Sequence, residues 1–155
     1  MANNPLVETW QIHDRINLYL LDAINPQSLS SHSASKGRSV GEQFAHVHNV
    51  RLMWLKSAAP ELLEGLTKVE SEQANDKKLL AKSLTVSGKA IGTLLTQSLD
   101  ASGKVKGFKP HAAAFLGYLI SHESHHRGQI ALSLKQAGQP LDKKIGYGLW
   151  EWGVR

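Results

Sequence analysis

PHAAAFLGYLISHESHHRGQIALSLKQAGQP, residues 110–140, reads as one long helix with a marked start and a marked stop. Pro110 stands where a first helical residue prefers proline, and Gly138 followed by Pro140 supplies a C-terminal stop about 28 residues later. On a wheel of 100° per residue, Phe115, Tyr118, Leu119, His122, His126 and Gln129 fall within one arc, which is expected to face a core. A helix of this kind needs partners to bury that face.

Three further stretches have helical character. The first runs from about Leu6 to Ala23 and ends before Asn25-Pro26. A serine- and lysine-rich loop, Gln27 to Arg38, separates it from a second helix that opens on a capping box, Ser39-Val40-Gly41-Glu42, and reaches about Ser57. Glu61 to Asn75 is a connection with a short helical turn around Leu62 and Leu63. From Asp76 the spacing of Leu79, Leu80, Leu84, Ile91, Leu94, Leu95 and Leu99 predicts a third helix, which runs out at Ser102-Gly103. Four helices without a convincing strand predict an all-α four-helix bundle.

At 155 residues and 41% hydrophobic, the chain suits a single domain, residues 1–155. It has no cysteine, so disulfides, thiolate zinc sites and cysteine nucleophiles are excluded, and any metal must sit on nitrogen and oxygen. No signal peptide and no membrane span is legible, and a cytoplasmic protein is expected. The net charge of +5 comes from scattered lysines rather than an aromatic-interleaved stripe, so no nucleic-acid partner is expected.

The chemistry concentrates at His122-Glu123-Ser124-His125-His126. His122 and His126, four apart, share nearly one helix face and can hold a divalent metal ion between them. The string also satisfies H-E-x-x-H, the zinc-protease pattern with the glutamate as general base. The extended protease pattern wants glycine and histidine where this chain has Gln129 and Leu132, and although Glu151 could serve as a third ligand on spacing alone, no sheet is on offer beside the site. Glu123 is read instead as half of an i, i+4 pair with Arg127 on the helix flank. His125 points about 60° away from His122.

A bundle site draws ligands from facing helices, and the second helix offers His46 and His48. His46 shares a face with Val50, Met53 and Trp54, and His48 with Phe44, Leu52 and Leu55; periodicity does not separate them. His13, His32 and His111 are read as surface or helix-terminal residues.

Val40-Gly41-Glu42-Gln43-Phe44-Ala45-His46, together with His122 through Ile130, resembles the DinB-like (damage-inducible or YfiT-like) family of helical-bundle metalloproteins. The resemblance extends over nearly the whole chain. It implies that His46 rather than His48, with His122 and His126, forms a three-histidine site for zinc or nickel. It further implies a homodimer, and an activity among metal-dependent hydrolases or thiol-dependent transferases acting on a small molecule. In a transferase the sulfur would come from a low-molecular-weight thiol.

Three neutral imidazoles leave a divalent ion its full charge, able to acidify water or polarise a carbonyl or thiol. Glu123, Tyr118 and Gln129 are the candidates for proton handling or for supporting the ligands. The tail Tyr147-Gly-Leu-Trp150-Glu-Trp152 is expected to pack over the open end of the bundle, with a pocket wall or a dimer contact as the other reading. The non-enzymatic alternative is a dimeric metal-binding or structural module.

Overall fold

A computed structural model describes residues 3–155. Four long helices dominate: α1 (Pro5–Ala23), α2 (Val40–Ala58), α3 (Lys77–Asp100) and α4 (Ala112–Gln136), followed by a short α5 (Lys143–Gly148). Among the described residues there is no strand. α1 and α2 each pack against both α3 and α4, so α1 and α2 lie across the bundle from each other.

Local chemistry sets the helix ends. Asn4 caps α1 ahead of Pro5, and the Ser39–Glu42 capping box of α2 forms in both directions. Asp76 caps α3 by accepting from the Leu79 amide. The expected start of α4 moves by two residues. His111, not Pro110, is the boundary, because its Nδ1 accepts the Ala114 amide at 3.1 Å and extended backbone at His111 sets off the first turn. Gly138 stops α4 as expected, at φ +77°, a left-handed conformation that glycine adopts without steric cost.

The connection between α2 and α3 holds short 3-10 turns at Pro60–Leu63 and Ser71–Gln73. Asn49 pins it to α2, donating to the Val69 carbonyl at 2.9 Å and accepting the Val69 amide at 3.0 Å. Gly41 permits close approach at the first turn of α2. A Cβ there would lie 1.9 Å from the Ala74 carbonyl oxygen.

The apolar core is split into two clusters. One gathers Leu20, Leu21, Phe44, Val47, Leu80, Leu84, Ile130 and Leu134; the other Val7, Trp10, Leu55, Ile91, Leu94, Phe115, Leu116 and Leu119. On every long helix polar residues stand between the two: His13, Asp14 and Asn17 on α1, with Ile16 among them, Arg51 on α2, Ser87 on α3, Glu123 on α4. The bundle therefore carries a polar layer through its middle, and buried groups there require partners.

Those partners are present. Arg51 donates through Nε to Glu123 Oε2 at 2.9 Å and through Nη2 to Glu123 Oε1 at 2.7 Å, a bidentate pair, and through Nη1 to the Leu84 carbonyl at 3.0 Å. Its Nη2 also lies 2.9 Å from Asp14 Oδ1, an ion pair without hydrogen-bond alignment. His13 Nε2 and Asn17 Nδ2 donate to Glu123 Oε1 at 3.0 and 2.8 Å. Arg127 Nη1 reaches His13 Nδ1 at 3.2 Å and Asn17 Oδ1 at 2.6 Å. His13 is thus a neutral ring that accepts on one nitrogen and donates on the other.

Two expectations are corrected by this layer. Glu123 is not on the flank paired with Arg127; it is 1% exposed at the centre of the bundle, and Arg127 reaches it only through His13 and Asn17. His13 is not a surface residue but fully buried. His32 is exposed, and His111 is helix-terminal, as expected.

The tail runs along α1. Gly148 packs on Tyr19, the Arg155 guanidinium lies 3.8 Å from the Tyr19 ring centroid, and Arg15 donates to the Arg155 carbonyl at 3.0 Å. Trp152 is half-buried, but Trp150 is 81% exposed, so the tail is not buried through its tryptophans.

Candidate metal centre

α2 and α4 face each other, and His46 on α2 meets His122 and His126 on α4. Ring centroids lie 5.3 Å apart for His46–His122, 4.7 Å for His46–His126 and 4.7 Å for His122–His126. One nitrogen from each ring falls within 4.8 Å of the other two. The Nε2 atoms of His122 and His126 are 3.2 Å apart. Two nitrogens on one tetrahedral zinc at ~2.05 Å would be roughly 3.3 Å apart, so this separation suits a shared ion.

Gln43, one turn before His46, accepts from His126 Nδ1 at 2.5 Å. The bond places the proton on Nδ1 and leaves the Nε2 lone pair directed into the cluster, the usual arrangement for a metal-binding histidine. His122 Nδ1 has no such support; it is buried without a partner among the described residues.

Burial and the neighbouring charges disfavour protonation of all three rings. Burial, then the neighbouring His122, His46 and His125 rings and Arg38, push His126 down to about 3. His46 and His122 are lowered as well, chiefly by burial. An uncharged imidazole with a free lone pair is the form that binds a metal.

The remaining sequence candidates separate cleanly. His48 faces away from the cluster and its Nε2 donates to the Thr67 carbonyl at 2.8 Å. His125 lies outside the group; its Nε2 accepts from Gln129 at 2.9 Å. Tyr118 is partly exposed, its ring near-parallel to His122 with centroids 6.5 Å apart, and it joins Trp54, Phe108 and Phe115 in an aromatic cluster beside the site. Glu123 cannot serve as a general base. Burial works against its charge, but the Arg51 charge and hydrogen bonds, with those of His13, outweigh burial and hold its carboxyl down to about 2. Both of its oxygens are engaged inside the bundle.

The expected core arc of α4 is displaced for the same reason. The buried face consists of Ala112, Phe115, Leu116, Leu119, Glu123, His126, Ile130, Ser133 and Leu134. Counting Glu123 as a core residue turns the arc by roughly 60° at 100° per residue, which leaves Tyr118 and Gln129 at its edge and His122 half-buried at the groove.

Sequence reasoning missed Gln43 and Arg51. Gln43 stands three residues before His46 and so on its face; Arg51 stands four after Val47 and four before Leu55, a charge on an apolar stripe.

The fold and the cluster define a helical-bundle protein in which three imidazoles from two facing helices converge. The family model for the DinB family matches residues 1–144, and the chain belongs to that family. A DinB-like protein from Bacillus cereus ATCC 10987 has a crystal structure similar to this one, with a TM-score of 0.65 at 21% identity over 88% of this chain and 93% of that chain. At that identity the likeness concerns the fold. No curated protein matches the sequence significantly.

Proposed function

We propose that His46, His122 and His126 bind one divalent metal ion, zinc or nickel, and that the protein uses it on a small molecule as a hydrolase or a thiol-dependent transferase. The observation that carries this reading is the convergence of three neutral imidazole nitrogens within 4.8 Å, with Gln43 fixing one of them. When bound, the ion supplies a Lewis acid for a carbonyl, a water or a thiol.

The chain's own residues do the rest. Gln43 holds the His126 proton on Nδ1, and the Arg51–Glu123 pair anchors the middle of α4 between the two histidines that flank it. His46 and His122 are only half-buried, and a cleft opens beside His46, so a small molecule has access. Access of this kind favours catalysis over a closed structural site.

Metal content of the untagged protein, purified and reloaded with zinc or nickel, tests the site. One equivalent is expected in wild type and in His48→Ala, and a small fraction of that in His46→Ala and His122→Ala. Equal metal in wild type and His122→Ala removes the proposal.

A further inference from the structure

One cleft is lined by His46 and another by Gln43, the partner of His126, and one residue lines both. The first, about 490 Å³, is bordered by His46, Ala45, Asn49 and Lys68; the second, about 420 Å³, by Gln43, Gln129 and Ser133. Arg38 belongs to each. It follows Gly37, at φ +90°, and precedes the Ser39 cap of α2, so its backbone is set by the helix start while its side chain is exposed.

The charges that line the first cleft with Arg38 have other partners, whereas Lys36, beside Arg38 in the second, has none among the described residues. Glu42 Oε2 accepts the Ser39 amide at 2.7 Å in the capping box. Lys68 Nζ pairs with Glu70 at 3.3 Å, and both amide atoms of Asn49 are tied to Val69. Among the described residues Arg38 has no ion-pair or hydrogen-bond partner. An uncommitted guanidinium beside a cluster of neutral donors is a receptor for a planar oxyanion, which it can hold with two parallel N–H bonds.

We infer that Arg38 is the anchor for a carboxylate on the substrate, and that the site acts on small molecules carrying a carboxylate at one end and the metal-directed group at the other. The inference rests on the metal reading above. It adds the ligand's charge and the residue that selects it. Tyr118, Trp54 and Phe108 on the other flank of His122 give the site an aromatic side, so Arg38 and the lysines beside it lie at the opposite, cationic side.

The test uses cobalt(II)-loaded protein, whose visible spectrum reports ligands entering the metal's coordination sphere, and two probes of equal length: succinic monohydroxamate, which ends in a carboxylate, and butyrohydroxamate, which ends in a methyl group. Wild type should bind the acid-ended probe roughly fivefold more tightly or better, the discrimination expected of one accessible ion pair. In Arg38→Gln the ratio should fall to near one, and Arg38→Lys should keep part of it. Equal affinities in wild type, or an undiminished ratio in Arg38→Gln, overturn the anchor. So does a ratio that falls in Lys68→Gln but not in Arg38→Gln. Failure of the wild type to take up cobalt overturns the metal reading itself, which separates the two failures.

Discussion

Glu123 shows how a single residue can be read correctly for its type and wrongly for its place. Beside His122 it completes a protease pattern, and four before Arg127 it completes a surface pair, yet the carboxylate closes the buried network of Arg51, His13 and Asn17. Removing it leaves Arg51 fully buried with Asp14 as its remaining anion. Glu123→Ala should therefore cost about 3–5 kcal/mol in urea unfolding; a loss below about 1 kcal/mol would contradict the network. The same residues set a pH dependence in metal-free protein. Burial lowers the His13 pKa despite its bond to Glu123, so below the ordinary value of 6.5 the unfolded chain binds a proton the folded one refuses. That contribution to stability is full above pH 6.5 and declines as pH falls through it. Glu123, depressed from 4.5 to about 2, contributes fully above pH 4.5 and loses its share as pH falls toward about 2. The melting temperature should drop on acidification below pH 6.5 and more steeply below pH 4.5. A flat profile across both windows would be inconsistent with the buried pair and the neutral His13.

At the scale of elements, helices with local start and stop signals were legible and buried polar faces were not. Ser39-Val40-Gly41-Glu42 located α2, Asp76 located α3 and Gly138 ended α4, because caps and left-handed stops are sequence-local chemistry. The polar layer is non-local: Arg51, Glu123, His13 and Ser87 lie on different helices, and only packing reveals that each breaks an apolar stripe at the same level. The triad was legible in two thirds, since His122 and His126 share a turn, whereas periodicity left His46 and His48 equal and only the family resemblance separated them. The first turn of α2, six residues or fewer before His46, is seated against the connection at Ala74. Gly41→Ala would push a methyl group into the Ala74 carbonyl and should cost about 1–3 kcal/mol, read as a lower urea midpoint; an unchanged midpoint would mean that the connection is not seated there as described. Gln43→Leu keeps the helix and removes the acceptor that holds His126. Metal affinity should fall about 10–100-fold with little change in the fold, and equal affinity would deny Gln43 its orienting role.

Across the whole molecule, two apolar clusters bury the ends of the bundle and the polar layer between them backs the histidine groove. No helix among the described residues is long and apolar enough to cross a membrane. The Arg51–Glu123 pair ties α2 to α4 on the inside, while His46, His122 and His126 bring the same two helices together on the outside. A metal ion at the groove would thus join elements the core already holds, so folding should survive its removal, with the chelated protein keeping its helical circular dichroism and melting cooperatively at a lower temperature. Loss of helical signal on chelation would instead mark a site on which the fold depends. The central claim, that three histidines from two helices share one ion, is met most directly by X-ray absorption at the zinc edge of the reloaded, untagged protein. Three imidazole nitrogens are expected in wild type and two in His46→Ala under saturating zinc. A wild-type spectrum with fewer than three imidazoles, or one that His46→Ala leaves unchanged, would contradict the account.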